Sequence, residues 1–149
     1  MLERQGVKLD TSEATTFTYF LREMGASHLP TIDLTQATNV NHFGYSSQVC
    51  CIEKLIVSES TPFANTSFQH WKSLYDVRIE GSIGSTINLQ WSTMLSRASI
   101  ESFVEHLSDN TSGLSATFSK TAVVKAFGSE DNWNTYINGK KSNWTINIV

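Results

Sequence analysis

Four histidines, two cysteines and a scatter of carboxylates are the residues of this 149-residue chain whose types suit chemistry. His28, His42, His70 and His106 fall in no HExxH pair or other ligand spacing, so no metal site is expected. His106 lies on the polar side of an amphipathic stretch and reads as solvated. His70 sits in a connecting segment without a companion motif, where packing is the simpler role. Cys50 and Cys51 are adjacent. Neighbouring Cα atoms ~3.8 Å apart rarely close a disulfide, and there is no CxxC pair, so both read as reduced, buried thiols.

Asp76 and Glu80 are four residues apart on an extended segment. They would point the same way, about 13 Å apart at ~3.3 Å per residue. That exceeds the ~6.5–9.5 Å of inverting glycosidases, so glycoside hydrolysis is poorly supported. A turn is the reading of Gly81-Ser-Ile-Gly84, because no helix-opening Lys-Ser/Thr follows it. With no GxSxG, GxGxxG or Walker pattern, the chain predicts no cofactor and no catalytic residue.

Composition narrows the classes further. The length suits one domain, residues 1–149. Hydrophobic residues make up 40% and aromatics 11%, enough for a core, while charged residues reach only 17% against ~25% typically. Ser, Thr and Asn take their place and favour short strands and turns. The net charge is −3 with no basic run, so no nucleic-acid footprint is visible. Residues 1–10 carry Glu3 and Asp10 and lack an apolar core, unlike a signal peptide. No apolar run nears ~18 residues, so no membrane partner is expected. The Asn-x-Ser/Thr sites at Asn65, Asn110 and Asn143 then read as chance matches.

The elements that must position these residues follow a repeat. Leu29, Ile32 and Leu34 share one spacing with Ile52, Leu55 and Val57, and with Leu74, Val77 and Ile79. The first members lie 23 and then 22 residues apart. A strand recurring every ~20–29 residues marks a leucine-rich solenoid, whose units share a core because none can bury its own apolar edge. Strands are expected at 29–35, 52–58 and 74–80, with a shorter one at 86–90. Val40, Phe43, Pro62, Phe63 and Phe68 fall in the returns.

A helical face at Phe17, Phe20, Leu21 and Met24, opened by Asp10 with Glu13 and closed by Gly25, predicts an N-terminal capping helix within 1–28. Residues 29–90 would be repeats and 91–149 helix and strand units. Ile100, Phe103, Val104 and Leu107 predict a helix capped by Ser96 or Ser99. A strand at 114–118, a helix from Ser119 through Phe127, a second short helix around 131–138 and a strand at 144–149 complete the chain. The fold class is thus α/β, a short solenoid with a parallel sheet and helical C-terminal returns.

The stretch from Phe63 through Phe68, His70, Trp71 and Leu74 to Gly84 resembles the repeat of BspA-type bacterial leucine-rich proteins, with Trp71 where a Cys is usual. Residues 95–114 together with 142–149 look like the closing unit of such domains in gut Firmicutes and their phages. The resemblance covers roughly residues 29–149. It implies a right-handed solenoid whose strands line a concave face that binds proteins or glycans. It also implies a bacterial surface or phage context.

Stacking the triplets aligns Asp33, Ile56 and Arg78 on the outward face, flanked by Thr31, Lys54 and Asp76, and by Thr35, Ser58 and Glu80. Tyr75 and Arg78 are residue types favoured as interface anchors. The expected partner-binding set is Asp33, Lys54, Ile56, Tyr75, Asp76, Arg78 and Glu80. The expected function is non-catalytic protein binding. One form is a phage-encoded inhibitor masking a host defence protein such as a nuclease. Another is an adhesin or receptor-binding part. A hydrolase would need a His–carboxylate pocket. The partner would be a bacterial host protein or surface receptor, met in the host cytoplasm or on a virion. The terminal strand would offer an open edge to a second copy.

Overall fold

The apolar triplets lie in successive parallel strands of one sheet, and a second parallel sheet follows it in the chain. The computed structural model describes residues 9–22, 25, 28–45 and 48–149. In chain order the elements are β1 (His28–Asp33), β2 (Cys51–Val57), β3 (Asp76–Gly81), β4 (Ile87–Leu89), α1 (Arg97–Glu105), β5 (Leu114–Phe118), α2 (Lys120–Phe127), α3 (Glu130–Ile137) and β6 (Trp144–Ile148). They make a small α/β fold, a β-solenoid of about 4 turns. Its sheets are β1-β2-β3 and β4-β5-β6, each parallel throughout.

The single expected sheet is split because the chain turns a corner between β3 and β4. Gly81 there has φ +99, and a Cβ on it would lie 1.9 Å from the Val57 carbonyl oxygen. Only glycine allows that backbone and that approach. Hydrogen bonds between neighbouring coils of the first half join residues 22 to 24 apart. Between β4 and β5 the separation grows to 29, because that return holds α1.

Register in the first sheet also departs from expectation. β1 and β2 pair Leu29 with Ile52 and Ile32 with Leu55. β2 and β3 pair Ile52 with Val77 and Leu55 with Ile79, with a shift between. Glu53 and Lys54 therefore oppose the single residue Arg78, as in a β-bulge. The three-residue step from Ile52 to Leu55 becomes the two-residue step from Val77 to Ile79, and all four side chains stay buried. Leu74 is buried ahead of β3 instead of starting it.

The expected N-terminal helix does not form among the described residues. Residues 9–22 make turns and one parallel bridge, Thr16 to Asn39. The Phe17 and Leu21 amides donate to the Asn39 and Phe43 carbonyls of the next coil at 2.8 and 3.1 Å, rather than back along a helix. Asp10 accepts from the amide and hydroxyl of Ser12, a local turn rather than a cap on Glu13. Phe17 and Leu21 are buried all the same. Met24 lies outside the described residues.

α1 takes the place that a fourth strand would fill beside β3. Ser99 Oγ accepts from the Val77 amide and Ser102 Oγ from the Ile79 amide, each at 2.9 Å. Two hydroxyls thus satisfy edge donors that would otherwise cost ~1–3 kcal/mol each if buried unpaired. Ser96 caps the helix, accepting from the Ser99 amide. Its Oγ also lies 2.9 Å from that of Ser99, and Ser99 Oγ lies 3.0 Å from the Tyr75 carbonyl it donates to.

The core runs the length of the molecule as one aromatic file. Phe43 meets Trp71 at 5.3 Å between ring centres, Trp71 meets Phe68 at 4.9 Å, and Phe68 meets Phe103 at 5.8 Å. Phe103 and Phe118 then carry it to Trp133. Most of these pairs are edge-on, the arrangement that ring quadrupoles favour.

Candidate interaction surface

The outward side of β1-β2-β3 holds six of the seven expected residues, all but Tyr75. Lys54 Nζ and Glu80 Oε2 form an ion pair at 2.8 Å across β2 and β3. Lys54 holds the Glu80 carboxyl below its ordinary range, first by its hydrogen bond and then by its charge. Ile56 sits between Asp33 and Glu80 in the ladder and is half-buried. The column expected as Asp33–Ile56–Arg78 is therefore Asp33–Ile56–Glu80, displaced by the bulge. Arg78 stands at the bulge itself, exposed, and makes no hydrogen bond or ion pair with a described residue. It lies between a cleft of about 250 Å³ shared with Asp76 and Ser99, and one of about 390 Å³ shared with Glu101, Glu105 and His106.

Asp33 and Asp76 also have local duties, and Tyr75 lies elsewhere. Asp33 accepts from the Thr35 amide at 2.8 Å and the Thr35 hydroxyl at 2.7 Å, closing the turn after β1. Asp76 accepts from the Ser96 hydroxyl at 2.8 Å and so tethers the start of α1. Tyr75 is 48% exposed but lies beside Met94 and Arg97, at the other side of that helix start.

A second surface feature lies outside the expected set. Tyr19, His42 and His70 have φ of 56, 53 and 68, a left-handed backbone that costs an ordinary residue ~1–2 kcal/mol. Each occupies the same place in its return, just before the buried or partly buried Phe20, Phe43 and Trp71. Their side chains stack outside the core. Tyr19 lies parallel to His42 at 5.0 Å, and Tyr45 meets His70 edge-on at 4.8 Å. The Arg22 guanidinium lies 5.5 Å from the Tyr19 ring centre. The signal was a recurring order, apolar, polar, Tyr or His, aromatic, at Phe17-Thr-Tyr-Phe20, Val40-Asn-His-Phe43 and Phe68-Gln-His-Trp71.

At the corners a carboxylate does the bridging. Glu59 Oε1 accepts from Ser108 Oγ, from Asn110 Nδ2 at 3.0 Å and from Ser82 Oγ at 3.3 Å. The Ser108 and Asn110 bonds hold its carboxyl below the usual range. Among the described residues no group of three or more His, Cys, Asp or Glu is placed to hold a metal ion, and no helix is long and apolar enough to cross a membrane. Comparison with known protein families, curated proteins and solved structures finds no match to this chain.

Proposed function

We propose that this chain is a non-catalytic protein-binding module that works through the outer surface of its solenoid. The observation that carries this is the outward face of β1-β2-β3. Its inner face is core, while the side chains of Lys54, Arg78 and Glu80 stand in solvent. Parallel sheets are found almost only with both faces covered. A mixed-charge face with one half-buried apolar residue, Ile56, and one exposed cation, Arg78, that forms no hydrogen bond or ion pair with a described residue suits a protein partner. Complementary charges orient such a partner, and a few anchors hold it.

The repeat residues resembling BspA-type leucine-rich proteins support a phage- or bacterium-encoded chain that meets a bacterial partner. We therefore favour a bacterial host protein, with the chain either masking it as an inhibitor or binding it as a surface receptor. The test is affinity capture from bacterial lysate and from intact cells, followed by quantitative binding of the captured protein. Arg78→Glu and Ile56→Asp should each weaken the complex at least ten-fold while leaving the melting temperature unchanged. Undiminished binding by both variants would remove this face from the proposal.

A further inference from the structure

A third cleft, at the start of α1, has the opposite character, and we propose that it docks an acidic protein segment carrying one aromatic or large aliphatic anchor. Four large hydrophobic residues are exposed among those described: Tyr19, Tyr75, Met94 and Val149. Two of them, Tyr75 at 48% and Met94 at 43%, line one cleft of about 230 Å³. Ala126 also lines it, and Arg97 and Lys125 contribute its charges. The volume is below the ~300–1,000 Å³ of small-molecule pockets and matches a single inserted side chain.

Charge selects the occupant. The chain carries 14 acidic and 11 basic residues, yet no carboxylate lines this cleft. The two clefts beside Arg78 hold Glu53, Asp76, Glu80, Glu101 and Glu105 between them. Arg97 is already oriented, its Nε 2.8 Å from Glu101 and its guanidinium 4.7 Å from the Phe127 ring centre. Lys125 is exposed and forms no ion pair with a described residue. It is the cation left to meet an incoming carboxylate.

The anchor wall is held in advance. The Tyr75 carbonyl accepts from the Ser96 amide at 2.9 Å and the Ser99 hydroxyl at 3.0 Å, and its amide donates to the Cys50 carbonyl at 2.9 Å. A ring carried on so fixed a backbone loses little freedom on binding. Tyr, Met and Arg are the types enriched where interfaces are most buried. This site is separate from the β1-β2-β3 face, so either stands without the other.

The experiment uses two synthetic twelve-residue peptides with a central Trp, one flanked by Asp and Glu and the other by Lys. Each is titrated into the full ¹⁵N-labelled chain. The acidic peptide should bind at least ten-fold more tightly and shift the amides of Met94, Arg97 and Ala126. Lys125→Glu should weaken it at least five-fold, Tyr75→Ala likewise, and Arg78→Glu not at all. Equal binding of both peptides, no saturation at millimolar concentration, or shifts centred on Arg78 would each overturn the proposal. So would a cleft perturbed by phosphatidylserine vesicles but not by the acidic peptide.

Discussion

The two sheets end differently. At β3 the last strand of the first sheet meets α1, and serine hydroxyls take its amides. At β6 the second sheet ends on a strand whose one partner strand among the described residues is β5. The returns differ as well. Those before β2 and β3 are turns containing left-handed His42 and His70, whereas the return before β6 is built from α2 and α3. Both solutions bury the same kind of aromatic file. Core filling therefore does not dictate how a coil closes, and local backbone chemistry does.

Breaking the core tests how far the halves depend on each other. Phe68 touches Phe63, Trp71 and Phe103, spanning the middle of the file, while Trp133 sits among Phe118, Phe127 and Tyr136. Phe68→Ala and Trp133→Ala should each cost ~3–5 kcal/mol in denaturant unfolding. In hydrogen exchange Phe68→Ala should loosen both sheets, and Trp133→Ala the β4-β5-β6 sheet first, since solenoid coils depend mainly on their neighbours. Equal loss of protection everywhere would mean one indivisible unit.

The hydroxyl ladder is sharpened by Ser99→Ala and Ser102→Ala. Each should cost ~1–3 kcal/mol by stranding a strand amide. Exchange should accelerate at Val77 for the first and Ile79 for the second, with β6 unchanged. Smaller again is the corner at Glu59. Its carboxyl is depressed in the folded chain, so its contribution is present above the ordinary glutamate value of 4.5 and is lost as pH falls through the folded value. The wild-type melting temperature should therefore drop between pH 5 and about 3 more than that of Glu59→Gln. Smallest is Lys54→Ala, which removes an exposed ion pair and should change stability by less than ~1 kcal/mol.

Much of this fold was legible in the sequence because apolar spacing reports burial directly. All nine triplet residues are buried, though Leu74 stands ahead of its strand, the Ile100–Phe103–Val104 face and the strand at 114–118 appear as expected, and Ser96 caps its helix. Spacing failed where burial does not require a helix. Phe17 and Leu21 sit inward from a chain of turns, since their amides bond to the next coil. It failed again at register, because a bulge at Glu53–Lys54 lets unlike steps bury the same residues. That one slip moved Arg78 out of the expected column. Residue type alone marks Tyr75 as an anchor, and its place beside Met94 and Arg97 depends on where α1 starts, which no periodicity encodes.

The junction between β3 and α1 has one more implication. Two serine side chains define it, and neither reaches the coils before β2. Whole turns of about twenty-three residues could thus be inserted or deleted upstream, like links of a chain, without redesigning the join. The span of the outward surface would then scale with copy number, so a longer or shorter footprint is reachable by duplication rather than by point substitution.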